Sequence, residues 1–175
     1  MNYTPHEAFT IEYKALASVI RTGIGVSQVD ETNQLKTEAI WDTGATNCAM
    51  TKAFIGQLGL SPIGKTIVKG VHGDKEVNVY LIDLYLPNRV KFKAVRVTEC
   101  EELSPDGNCA MLIGMNVMIH GDLAISNYDK KTVFTFRIPS QKKIDFVANV
   151  KTEQVRQQHL GRKQGQKSTH PKKKK

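Results

Sequence analysis

The stretch from residue 65 to residue 97 changes character too often to be helical. "KTIVKGVHGDKEVNVYLIDLYL" sets β-branched residues among charged ones and is interrupted by a Gly-bracketed tip, "GVHGD". That pattern predicts a long hairpin with arms at residues 67–69 and 76–86. "LPNR" then turns the chain into "VKFKAVRV", where Val90, Phe92 and Ala94 alternate with Lys91 and Lys93. The same grammar runs from residue 10 to residue 139. "FTIEYKALASVIRTGIGVSQV", broken by Gly23 and Gly25, passes through the polar turn "VDETNQ" into "LKTEAIW", a second hairpin. "AMLIG" reads as a buried strand, and "LAIS" and "TVFTFRI", joined through "NYDKK", as a final hairpin. Two short helices are expected. In "TKAFIGQLGL", Thr51 is the N-cap, Phe54, Ile55 and Leu58 face inward and Gly59 closes, with Pro62 preventing continuation. The other follows Gly114, with Val117 and Met118 inward. The expected class is all-β.

A chain of 175 residues accommodates one domain with a tail. The pattern divides it into an N-terminal extension or strand (1–17), a domain (18–139) and a basic tail (140–175) expected to be disordered or a lone marginal helix. The net charge of +8 lies in that tail: residues 151–175 hold nine Lys or Arg and one acid, while the first 150 residues hold 16 of each sign. The basic balance therefore says nothing about the domain's own ligand. Nor do residues 150–175 include Phe, Tyr or Trp with which to stack bases, so any contact with nucleic acid or an anionic surface is expected to be weak and salt-dependent. No apolar window of membrane-spanning length occurs, and "MNYTPHEAFTIEYK" does not read as a secretory signal. Three cysteines, Cys48, Cys100 and Cys109, are too few for a disulfide framework and lack the His or Cys partners of a zinc site. Reduced thiols, a cytoplasmic setting and no bound metal are the expectation.

One carboxylate stands out. In "AIWDTGATNCAM", Ala39, Ile40 and Trp41 end an apolar strand and Asp42 follows at once. An ionised carboxylate at the end of a buried run costs free energy unless something shares its charge. The plain reading is a tight turn whose Asp bonds its own backbone. Asp74, Asp106 and Asp122 also adjoin glycines, but each stands in a polar turn without the apolar approach.

The order of these features resembles the retropepsin-like aspartic proteases, over roughly residues 18–139. Ile40 to Ala45 match the catalytic apolar-apolar-Asp-Thr-Gly-Ala loop, "VKGVHGDKEV" the flap hairpin, and Leu112, Ile113 and Gly114 the apolar-Gly segment that supports the loop. The ending "LIGMNVMIHGDLAISNYDKKTVFTF" is more similar to the DNA-damage-inducible cellular branch and to bacterial single-domain members than to retroviral enzymes. Met115-Asn116 stands where many retroviral members have Arg-Asp or Arg-Asn, and Trp41 is unusually bulky for its place.

The resemblance implies a closed acid-protease β-barrel with a flap hairpin and two short helices, working as a homodimer on peptide or protein substrates without a cofactor. Peptide hydrolysis by carboxylates needs one group to take a proton from water and another to give one to the carbonyl oxygen. Two carboxyls about 3 Å apart share one proton, aspartic proteases being a standard instance. With a single Asp-Thr-Gly, the second Asp42 would come from a symmetric partner. Thr43 would bridge the two loops, Gly44 allow close backbone approach, and Ala45 leave a floor for substrate. Gly70, Val71, His72 and Gly73 would form the flap tip, an ordinary hairpin turn being the alternative. Ile40, Val71 and Ile113 are expected around the groove. Two other readings stay open: a catalytically idle peptide-binding dimer, and a nucleic-acid-associated protein acting through its tail.

Overall fold

Thr22, Ile24 and Val26 all turn inward from β2 (Arg21–Ser27), the alternation that a half-buried strand requires. The computed structural model of the protein describes residues 7–70 and 73–166. It divides the chain into two units, Met1–Gln141 and Lys142–Lys175.

In the first unit β2 pairs antiparallel with β3 (Leu35–Trp41), the expected hairpin. Four more strands follow: β4 (Cys48–Thr51), β6 (Gly73–Tyr85), β7 (Lys91–Cys100) and β8 (Cys109–Ile113), with β5 (Gly64–Gly70) hydrogen-bonded to β6 alone among the described residues. Pairing runs β2-β3-β8-β4-β7-β6, and β6 returns to β2 through Gly25–Tyr85, Val26–Leu84 and Ser27–Asp83. Six strands thus close a barrel, and closure removes edges that would otherwise be open to other chains. Val26, Met50, Ile82, Leu84, Val97, Met111 and Ile113 fill it, each without solvent exposure. The helices α1 (Lys52–Leu58) and α2 (Met115–Met118) lie where expected, and Gly59 closes α1 in a left-handed conformation. Thr51 occupies the N-cap position, but its hydroxyl makes no cap bond, because the residue still belongs to β4 and is buried there.

A second sheet of three strands, β1-β10-β9, comprises β1 (Glu7–Glu12), β9 (Asp122–Ser126) and β10 (Val133–Ile138). Residues 7–12 form a strand, and Phe9 of β1 packs on Trp41, Phe134 and Phe136. Trp41 meets Phe134 and Phe136 at centroid distances of 4.9 and 5.1 Å, and its Nε1 donates to Thr22 Oγ1 at 2.9 Å. The bulky residue before Asp42 is the bolt between barrel and sheet.

The expected alternation in β7 breaks at one place. Ala94 takes φ 51°, the β6–β7 register slips between Ile82 and Leu84, and beyond the slip Val95 and Val97 are the inward residues while Ala94 is exposed. Asp83 makes the irregularity possible. Its buried carboxylate accepts from the backbone N–H of Ala94 (2.9 Å) and of Asp30 (3.0 Å) and pairs with Lys91 Nζ (2.6 Å). Both N–H groups belong to left-handed residues, φ 51° and 62°. Such burial on its own would raise the carboxyl, yet the Lys91 ammonium and the two N–H donors hold it below the ordinary carboxylate range.

In the C-terminal unit the helical alternative is the one described. Phe146–Gln166 forms a 21-residue helix, α3, with Asp145 Oδ1 accepting from the N–H of Ala148 at 3.1 Å. The segment is rich in Lys, Gln, Glu and Arg, whose straight side chains lose little freedom in a helix. A missing apolar stripe argues against core packing, not against helicity. No helix among the described residues is long and apolar enough to cross a membrane.

Candidate active site

Asp42 is the first residue beyond β3. Its N–H donates to Ile113 O at 3.0 Å, and its carbonyl accepts from Ala45 N at 3.2 Å. Its Oδ1 accepts from Gly44 N at 2.8 Å, so the plain Asp-turn reading is realised. The turn engages only that oxygen. Oδ2 has no hydrogen-bond partner among the described residues, and the side chain is half-buried. The desolvation expected for a carboxylate after an apolar strand is not met within one chain, since Asp42 leaves the barrel wall as soon as Trp41 has entered it. Thr43 and Gly44 are exposed, and the Thr43 hydroxyl lacks a partner among the described residues.

The loop from Asp42 to Asn47 is fixed from behind. β8 runs between β3 and β4, parallel to one (Ile40–Leu112, Trp41–Ile113) and antiparallel to the other (Ala49–Leu112, Met50–Met111). The chain leaves β8 beneath the loop and donates to it twice, Met115 N to Ala45 O at 2.8 Å and Asn116 N to Thr46 O at 3.0 Å. Gly114 is required for this crossing: a Cβ there would lie 2.5 Å from Asn47 O and 2.9 Å from Ala45 O. Asn116 adds side-chain ties, accepting from Cys48 Sγ at 3.1 Å and donating to Arg96 O at 3.2 Å. Burial pushes the Cys48 thiol up to about 11, leaving it a packed neutral group.

A cleft of about 710 Å³ opens beside Asp42. Its floor includes Gly44, Ala45, Thr46 and Leu112, and its far wall is β5, through Thr66, Ile67, Val68 and Lys69. Four consecutive strand residues can line one cleft only if it runs along the strand's edge as well as a face, and β5 is a terminal strand of its sheet.

Ile113, expected around the groove, does not line the cleft, whereas Leu112, expected only to support the loop, does. Ile113 is wholly buried in the barrel, because neighbours on a strand face opposite ways. Ile40 is likewise not part of the lining. Gly70 and Gly73 are the hairpin's last paired residues, whereas Val71 and His72 lie outside the described residues. Cleft residues to which the sequence reading gave no site role include Thr66, Thr98, Cys100 and Leu103. The alternation in "KTIVK" marks a strand, but only tertiary structure shows which cleft it borders. Asp106 and Asp122 serve the scaffold: Asp106 pairs with Arg21, and Asp122 accepts from Arg137, Ser140 and Gln141.

A family model described as "Aspartyl protease" matches residues 28–117. Among solved structures, the chain is similar to a retropepsin-like aspartic protease from Rickettsia conorii (16% identity, 79% of this chain and 98% of that one, TM-score 0.49). It is also similar to the EIAV protease complexed with the inhibitor HBY-793 (19% identity, 59% and 88%, TM-score 0.44) and to the simian foamy virus protease (23% identity, 54% and 89%, TM-score 0.37). Among curated proteins, none matches.

Proposed function

The chain belongs to the aspartyl protease family, and from that premise we propose that it is an endopeptidase whose active site forms when two copies bring their Asp42 side chains together. The observation that carries this reading is the state of Asp42 in one chain: a loop locked by Ile113, Ala45 and Gly44 presents, beside an open cleft, a carboxylate oxygen without a partner among the described residues.

In the proposed reaction the two carboxyls hold one proton between them. The ionised one takes a proton from water as the water oxygen bonds to the peptide carbonyl carbon, and the protonated one gives its proton to the carbonyl oxygen. Transfer of a proton to the amide nitrogen then lets the C–N bond break, and the shared proton is restored. Thr43, exposed and without a side-chain partner among the described residues, would steady the facing loop. An extended peptide would lie along the edge of β5, bonding its backbone as an added strand. Ile67, Val68, Leu103 and Leu112 would meet its side chains.

Mass in solution measured together with cleavage of a peptide library tests the reading. Wild type should be dimeric when active, with specific activity rising with concentration until the dimer saturates, and Asp42→Asn should cleave nothing. A wild type that dimerises and binds peptides without cutting them across pH 4 to 7 would leave a binding protein instead. The three free thiols, with Cys48 and Cys100 pushed up to about 11 by burial, support a reducing, cytoplasmic setting. The charge of residues 151–175 supports an accessory contact with a polyanion. Loss of RNA retention on deleting that segment would bear it out; retention unchanged, or absent from the start, would remove it.

A further inference from the structure

Gly23 has no packing reason to be glycine. It sits within β2, where a glycine weakens a strand by roughly 0.5–1 kcal/mol. A Cβ built on it meets nothing within 4 Å, and its backbone is not left-handed. Gly25, two residues on, differs: a Cβ there would lie 2.4 Å from Gln34 Oε1, so Gly25 makes room for a side chain. Bare space above Gly23 is part of a trough of about 670 Å³ on the outside of the barrel, which shares no lining residue with the cleft beside Asp42.

The composition of the trough points to an anion. Lys36 and Arg89 line it, and neither has an ion-pair or hydrogen-bond partner for its side chain among the described residues. Lys36 stands beside Gly25 in the β2–β3 register, and Tyr85 flanks Gly25 on the other side, from β6. Arg89 comes from the turn after β6, held there by its N–H to Leu86 O at 2.9 Å. In the same turn, Asn88 Nδ2 is the one buried side-chain nitrogen or oxygen without a partner among the described residues. Leu86 and Pro87 supply an apolar wall. One acid approaches: Glu38, opposite Gly23, is paired with Arg21 at 3.7 Å. Asp83, also nearby on β6, is neutralised by Lys91. Two cations uncommitted among the described residues, an apolar wall and a floor left open at Gly23 fit a small ligand with a doubly charged head.

We propose that this trough binds an organic phosphate monoester, its phosphate held by Lys36 and Arg89 and its apolar body lying over Gly23 against Leu86 and Pro87. Neither the protease reading nor a dimer is needed for it.

Phenyl phosphate, titrated into the full chain and followed by ligand-observed NMR, is the probe, with benzoate and phenol as comparisons. Saturable binding of phenyl phosphate, tighter than benzoate and absent for phenol, is expected. Lys36→Gln and Arg89→Gln should each weaken it about tenfold or more. Gly23→Val should abolish it while leaving the melting temperature equal or higher, since the new side chain fills the trough without a clash. Asp42→Asn and Lys131→Gln should bind like wild type. No saturable binding, benzoate binding as tightly as phenyl phosphate, or unchanged affinity in both charge variants would overturn the assignment. The charge variants decide the matter should Gly23→Val fail to fold, as both residues are exposed.

Discussion

Asp83 and Asp42 are both aspartates that follow apolar strand residues, and the structure treats them in opposite ways. Asp83 is wholly buried and saturated: an ammonium and two backbone N–H groups occupy it, and a register slip is built around it. Asp42 is half-exposed and held by one oxygen only, in a loop fixed through backbone bonds. A carboxylate with both oxygens engaged within the chain serves the fold. One that is positioned but left with an open oxygen is available for chemistry, and the rigidity it needs must then come from its neighbours, here Gly114, Ile113 and Asn116.

The sharpest break in that contrast is Asp42→Asn. Cleavage should fall about a thousandfold or more, while the melting temperature stays within a few degrees, because the amide oxygen can still accept from Gly44. Asp83→Asn should do the reverse, costing about 3 kcal/mol in denaturant unfolding by breaking a buried pair, with activity per folded molecule unchanged. Gly114→Ala probes the support of the loop: a Cβ 2.5 Å from Asn47 O should cost about 2 kcal/mol and lower kcat more than it raises KM.

A smaller effect appears in the acid limb of stability. The Asp83 carboxyl is depressed in the folded chain. Its contribution is therefore fully present above the unfolded carboxylate value of about 3.9 and is lost as pH falls below that toward the folded value. The stability gap between wild type and Asp83→Asn should narrow below about pH 4; a constant gap from pH 6 to pH 3 would contradict the assignment. Smallest of all, Thr51→Val should change stability by less than about 0.5 kcal/mol, since the roughly 1 kcal/mol of a working N-cap is absent where the hydroxyl makes no cap bond.

Legibility followed the range of the interactions. Strand periods, the hairpin at "VDETNQ" and the helix closed by Gly59 rest on neighbours in sequence and could be read directly. The bulge at Ala94 could not, because its cause is Asp83 on another strand and Asp30 in another loop. Ile113 was misplaced for a similar reason: two adjacent apolar residues look alike until a barrel gives them an inside and an outside. In the tail, sparse apolar residues excluded a core of its own, and the helix accords with the helix preference of its Lys, Gln and Arg residues.

By itself, then, the sequence determined the β-rich class, the place of Asp42 at the end of its strand, and the separation of charge between body and tail, all consequences of local pattern and composition. Only the tertiary structure decided that β8 threads behind the Asp42 loop, that Leu112 rather than Ile113 faces the cleft, and that Gly23 floors an empty trough. Each of these depends on which distant backbone lies within a few ångströms, and steric contact between remote segments leaves no mark on the pattern of either segment alone.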